Sequence, residues 1–125
     1  MSHVLLVALG GGLGASARYL TNLAALRVLG PNFPWGTITV NILGSFLMGV
    51  LIATLARMSG TSAEVRSFLA TGFLGGFTTF SAFSLDFASM WERGDQGAGM
   101  AYLLASVVIS ILALFAGLYL VHSLA

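Results

Sequence analysis

Cysteine is absent from this chain of 125 residues, and all five basic side chains are arginine. Without cysteine there are no disulfides, no thiolate metal sites and no cysteine nucleophile. Charge of either sign is scarce. Acidic and basic residues together make up 7% of the chain, whereas an ordinary soluble domain is about a quarter charged. So few charges cannot cover a globule of this size in water. The arginines are scattered, which excludes a nucleic-acid footprint. The N-terminus lacks a basic n-region and an evident cleavage site, so its first apolar run is expected to be a span rather than a signal peptide. What is abundant is apolar: 58% of residues are hydrophobic and the mean hydropathy is +0.97. The length fits one domain, 1–125, and the lipid bilayer is the solvent this composition suits.

A membrane helix needs about 20 mostly apolar residues to cross roughly 30 Å of hydrocarbon. Four segments qualify, at about 4–26, 35–55, 65–91 and 99–121. Gly30-Pro31-Asn32-Phe33-Pro34 is a turn between the first two, and Trp35, Trp91 and Tyr119 stand near span ends, where aromatic anchors prefer the interface. Small residues recur four apart in Gly10-xxx-Gly14, Ser45-xxx-Gly49, Gly72-xxx-Gly76 and Ala113-xxx-Gly117. These pairs allow close helix contact.

With four spans, Arg57 and Arg66 share one side of the membrane, and Arg27 and Arg93 the other. The positive-inside rule has nothing to act on. Either the chain inserts both ways, which permits an antiparallel dimer, or a small bias or another subunit fixes its orientation. Four packed helices also fill their own centre with side chains. A conduction path then has to lie between subunits.

Residues 4–15 imitate a dinucleotide-binding start, an apolar run followed by Gly10-x-Gly12-x-x-Ala15. That mechanism requires an acid about 20 positions later for the ribose, inside a βαβ unit. The next acid is Glu64 and no helix–strand alternation follows. No nucleotide site is expected, and helix packing accounts for the glycines.

The third span is longer than a straight crossing requires. Its centre, Thr71 to Ser84, holds the Gly75-Gly76 pair followed by the β-branched Thr78 and Thr79, a poor recipe for a continuous helix. An interruption at membrane depth survives only where protein or a water-filled cavity satisfies the freed backbone groups. Carbonyls released there can coordinate a cation; alternatively the two glycines only ease a helix crossing.

The run GGFTTFSAFS at 75–84 resembles the signature of the Fluc family of dual-topology fluoride channels, also called CrcB. The likeness extends to the glycine-rich first span ending in Arg18-Tyr19, to Trp35-Gly36-Thr37 leading to Asn41, and to Tyr102 with its serines in the fourth span. The resemblance implies an all-α membrane protein of four transmembrane helices with a broken third helix, assembled as an antiparallel homodimer with two fluoride pathways. It also implies a sodium ion buried on the twofold axis, with Gly75 and Thr78 at the positions whose backbone carbonyls hold it. Phe80 and Phe83 match the family's paired pore phenylalanines. Three apart, they share one face of a helix, and an aromatic ring offers an anion its positive edge. Ala82 departs from the pattern, standing where the family commonly has threonine, so Ser81 becomes the nearer candidate donor.

Fluoride is a small, strongly hydrated acceptor, and a path for it must replace water with donors. Asn41 matches the family's pore asparagine and its amide can donate; a helix-to-helix hydrogen bond is the alternative. Tyr102, Ser106 and Ser110 recur every four residues, about 6 Å apart along one helical stripe, and match the family's polar track. Serines in such helices otherwise bond back to their own backbone. Thr37 adds a donor at the start of the second span. Arg18 lies about 21 Å along the first span counted from Val4. It resembles a vestibule residue that attracts anions, or else satisfies helix-end carbonyls. Asp86 reads as an interfacial or capping group, since a carboxylate in the path would repel the permeant ion.

The reading is therefore a passive fluoride channel of the bacterial inner membrane, not an enzyme, whose partners are fluoride, the lipid bilayer and a second copy of itself. A small multidrug exporter, also a four-helix dual-topology dimer, is the rival, but its kind resemble one another in a first-span glutamate that is absent here. A non-conducting assembly subunit is a third class and needs no polar track.

Overall fold

The computed structural model describes residues 2–58, 60 and 62–124, and the regular structure among them is entirely helical. Four stretches are long and apolar enough to cross a membrane: His3–Leu29, Trp35–Arg57, Ala63–Glu92 and Gln96–Ser123. They overrun the expected spans at most ends. Hydropathy marks only the hydrocarbon crossing, whereas the helices carry Arg27, Arg57 and Glu92 onward into the polar boundary. The first, second and fourth stretches are single helices, α1 (His3–Leu29), α2 (Trp35–Arg57) and α6 (Gln96–Ser123). The third is composite. One turn, α3 (Ala63–Arg66), leads into a π-helical segment (Ser67–Leu74), then a further turn, α4 (Gly75–Phe77), and after a gap at 78–80 comes α5 (Ser81–Glu92).

Local chemistry sets the ends. Ser2 accepts from the Val4 N–H (3.2 Å) to cap α1, and Ser62 accepts from the Val65 N–H (3.2 Å) to cap α3. Gly30 and Gly94 adopt φ of 83° and 92°, conformations that stop α1 and turn α5 back toward α6.

The four small-residue motifs resolve into two seams. Gly10 and Gly14 of α1 lie against the backbone of Phe68, Gly72 and Phe73, while Gly76 abuts Gly11. On the other side of the molecule, Gly49 of α2 faces Leu114 and Leu118 of α6, and Gly117 answers against Phe46 and Val50. At both seams a methyl group would run into main-chain atoms. Backbone contact of this kind drives helix association in lipid, where apolar side chains gain nothing by leaving one hydrocarbon for another. The surface is correspondingly apolar, with Val4, Leu13, Val28, Phe115 and Tyr119 all exposed. A smaller buried cluster of Ile38, Phe83, Met90 and Tyr102 ties α2, α5 and α6 together.

The interruption falls on the threonines and not on the glycines. Gly75 and Gly76 remain helical, and Gly76 is occupied by its approach to α1. Thr78 is the first extended residue, with φ −87° and ψ 159°.

Candidate functional site

The gap at 78–80 frees backbone groups inside the membrane, and partners come from α1, α2 and the third stretch itself. From α2, Asn41 clamps Thr79 at both ends of its peptide environment: Nδ2 donates to the Thr79 carbonyl (2.9 Å), and the Thr79 N–H donates to Oδ1 (2.8 Å). The Thr79 hydroxyl accepts from the Ala82 N–H (3.2 Å) and so starts α5. The N–H and the hydroxyl of Thr78 both donate to the Leu74 carbonyl, at 3.0 Å each. From α1, Arg18 Nε donates to the Gly76 carbonyl (3.1 Å). The break is thus held by protein, as an interruption at membrane depth requires.

Beside the break lies a cavity of about 290 Å³. It brings together Asn41, Thr78, Phe80, Phe83, Ser106 and Ser110 from α2, the break, α5 and α6. The Phe80 and Phe83 rings are 5.5 Å apart and inclined by 55°, an arrangement that is not face-to-face stacking. Phe83 is 7% exposed but Phe80 is 76% exposed, so half of the ring pair belongs to the chain's outer surface. The hydroxyls of Ser106 and Ser110 are buried and have no hydrogen-bond partner among the described residues. Serines Ser16 and Ser84 elsewhere in the helices do bond back to carbonyls one turn earlier. With one N–H of its amide engaged by Thr79, Asn41 keeps a second for a ligand.

Tyr102, the first member of the hydroxyl row, is fully buried and differently employed. Its OH donates to Asp86 Oδ2 (3.0 Å), and its ring meets Phe83 at 5.3 Å and Phe33 edge-on at 5.4 Å. Asp86 is therefore not a capping group: it sits within α5 and holds Tyr102 in place. Thr37 is buried and lines a second cavity, about 410 Å³, together with Asp86. Ser81 and Gly75 are exposed, and Ser81 stands 3.4 Å from the Thr79 hydroxyl. Neither these two nor Arg18 lines the first cavity.

The sequence reading missed the Asp86–Tyr102 bond and the use of Thr79 as the clamped residue. A signal for the first was present. Asp86 and Tyr102 are equally spaced on either side of Gly94, so an α5–α6 hairpin turning there brings them level.

Among the described residues no cluster of three or more histidine, cysteine, aspartate or glutamate side chains is positioned for a metal. A cation here would be one that neutral oxygens suit. The C-terminal carbonyls of a helix such as α4 lack intrahelical partners, and Gly75, on that turn, is exposed with only the Ala70 carbonyl near its Cβ direction, at 3.6 Å.

These features define a class: a small multi-pass helical membrane protein whose discontinuous span, ring pair and unpartnered hydroxyls surround one intramembrane cavity. The sequence profile described as CrcB-like protein, Camphor Resistance (CrcB) matches residues 5–118, and the chain belongs to that family. It is 60% identical over 124 residues to the Fluoride-specific ion channel FluC of Mesorhizobium japonicum, an alignment covering 99% of each chain. The protein of the same name from a Chelativorans species is also 60% identical over 124 residues, again covering 99% of both. That of Cereibacter sphaeroides is 56% identical over 118 residues, 94% of this chain and 93% of its own.

Proposed function

We propose that this chain is a passive, fluoride-selective channel of the bacterial inner membrane that lets cytoplasmic fluoride leave the cell. The observation that carries the reading is the cavity beside the break, where the Phe80–Phe83 pair meets the unpartnered hydroxyls of Ser106 and Ser110. A buried hydroxyl without a partner costs free energy unless something else accepts from it. A dehydrated anion is such an acceptor, and the remaining Asn41 N–H and the positive ring edges add to its solvation. Hydrogen fluoride enters cells as a neutral acid and dissociates inside. The anion then leaves down an inside-negative potential that supplies about 2.3 kcal/mol per charge per 100 mV.

The working unit is an antiparallel homodimer with two pathways. Phe80 is a large aromatic side chain left mostly uncovered beside the cavity at the break, as expected of a wall completed by a second copy. The even division of arginines supports insertion in both orientations. Gly75 and Thr78 would hold a sodium ion through their carbonyl oxygens, two from each chain. Bound there, the ion supplies a fixed positive charge between two interrupted helices. The rival exporter reading needs an ionisable carboxylate in the first span, and α1 contains none.

Purified protein in liposomes loaded with fluoride or chloride tests the reading. Rapid fluoride efflux on addition of a potassium ionophore, with chloride retained, is the expected outcome. Equal efflux of both halides, or of neither, would sink it.

A further inference from the structure

The second cavity, about 410 Å³, lies between the start of α2, the end of α1 and the outer half of α5. Its walls are more polar than those of an ordinary lipid-facing groove: Asn22, Thr37, Asp86, Ser89 and Arg93 all face it. Ala82 lines this cavity, whereas Phe83, the next residue in the chain, lines the cavity beside the break. The two spaces therefore meet along α5, where the buried Phe83 ring of the inner space packs on Tyr102 and Tyr102 is bonded to the Asp86 of the outer space.

Arg93 is the one cation among the described residues lining the outer cavity. It ends α5, and its Nε donates to Asp95 Oδ2 at 2.7 Å, in an ion pair whose side chains are 49% and 53% exposed. A pair so exposed stabilises a fold little. Its electrostatic effect on the cavity is another matter, because a concave, low-dielectric wall focuses the field of a charge at its rim. Asp86 lines the same wall and Asp95 pairs with Arg93, so this guanidinium is the group there that can attract an anion against two carboxyl side chains.

We propose that Arg93 is the anion-collecting residue of this outer cavity, and that Asp95 sets how much of its charge an approaching halide meets. The proposal rests on the fluoride-channel reading and adds a mouth to it. Fluoride gathers near Arg93 in the outer space before it passes the Phe83–Tyr102 pair toward Ser106 and Ser110. Arg93 does not line the inner cavity, so its role is to raise the local anion concentration and not to select among halides.

The absence of native cysteine allows a direct test. Arg93→Cys is modified in detergent with a cationic or an anionic methanethiosulfonate, reconstituted, and assayed for fluoride efflux at low (about 10 mM) and high (about 0.3 M) ionic strength. The cationic adduct is expected to conduct about threefold to tenfold faster than the anionic one at low ionic strength, and the difference should shrink at high ionic strength. Asp95→Asn should raise efflux over the wild type under the low-salt condition only. Equal rates for the two adducts, or a difference indifferent to salt, would overturn the proposal. Ser89→Cys, on the same wall, takes the same reagents and decides the matter should Arg93→Cys fail to fold. Unmodified wild type in parallel vesicles separates the two levels of argument. If it releases no fluoride, the channel reading itself fails. If it releases fluoride while the adducts do not differ, only the role of Arg93 does.

Discussion

The two serine hydroxyls of α6 and the amide of Asn41 look alike as polar groups in a membrane, yet the structure gives them different work. Ser106 and Ser110 spend nothing on the fold. A buried unsatisfied hydroxyl costs about 1–3 kcal/mol, so Ser106→Ala and Ser110→Ala should leave thermal stability in detergent unchanged or slightly raised. The same variants should slow fluoride efflux at least roughly tenfold, the loss expected when about 1.4 kcal/mol of anion stabilisation goes. Asn41 serves both ends. Asn41→Ala orphans the N–H and the carbonyl of Thr79 and should lower stability by about 2–4 kcal/mol, read as a drop in unfolding temperature. Asn41→Asp keeps the acceptor for the Thr79 N–H and loses the donor. It should therefore unfold between the wild type and Asn41→Ala, while conducting as poorly as the alanine variant, since a carboxylate at that position repels the ion.

At the scale of elements, the seams between helices explain which glycines matter. Gly10→Ala and Gly14→Ala place a methyl group against the backbone of the π-helical segment, and overpacking of that kind costs about 1–3 kcal/mol. Gly12, one residue from a seam glycine, has open space where its Cβ would point. Gly12→Ala should stabilise α1 by about 0.5–1 kcal/mol through helix propensity alone. Unfolding temperatures of the three variants check the contrast. The sequence showed the spacing of these glycines and the weakness of the third span, because both are local properties. It did not show that the four motifs pair into two seams, nor that Ser67–Leu74 winds as a π-helix. Nothing in a residue's own chemistry chooses a bond to the fifth carbonyl back over the fourth. The close fit of Gly72 to Gly10 accompanies that choice, and Gly10 lies far away in sequence. The same distance hid the destination of Asn41, which was legible as a donor but not as the clamp on Thr79.

For the whole molecule, Phe80 and Gly75 are exposed on the single chain, and the proposed dimer would cover them. The mass of the protein in detergent, corrected for bound detergent, is expected to be twice the 13.0 kDa of one chain. Gly75→Ala separates the chain's own needs from those of its pairing. Within one chain the added methyl meets only the Ala70 carbonyl, at 3.6 Å, so helicity by circular dichroism should be unchanged. A dimer built around the Gly75 carbonyls should dissociate at lower detergent-to-protein ratios in that variant. The clamp between Asn41 and Thr79 also bears on how the protein is made. Ala63–Glu92 leaves the ribosome as one stretch whose own Thr78 and Thr79 hydroxyls brace the gap, but it has no partner of its own for the N–H and carbonyl of Thr79. Its interruption depends on a side chain delivered by the preceding span. The order of synthesis, α2 ahead of the third stretch, makes the partner of Thr79 before the gap that needs it.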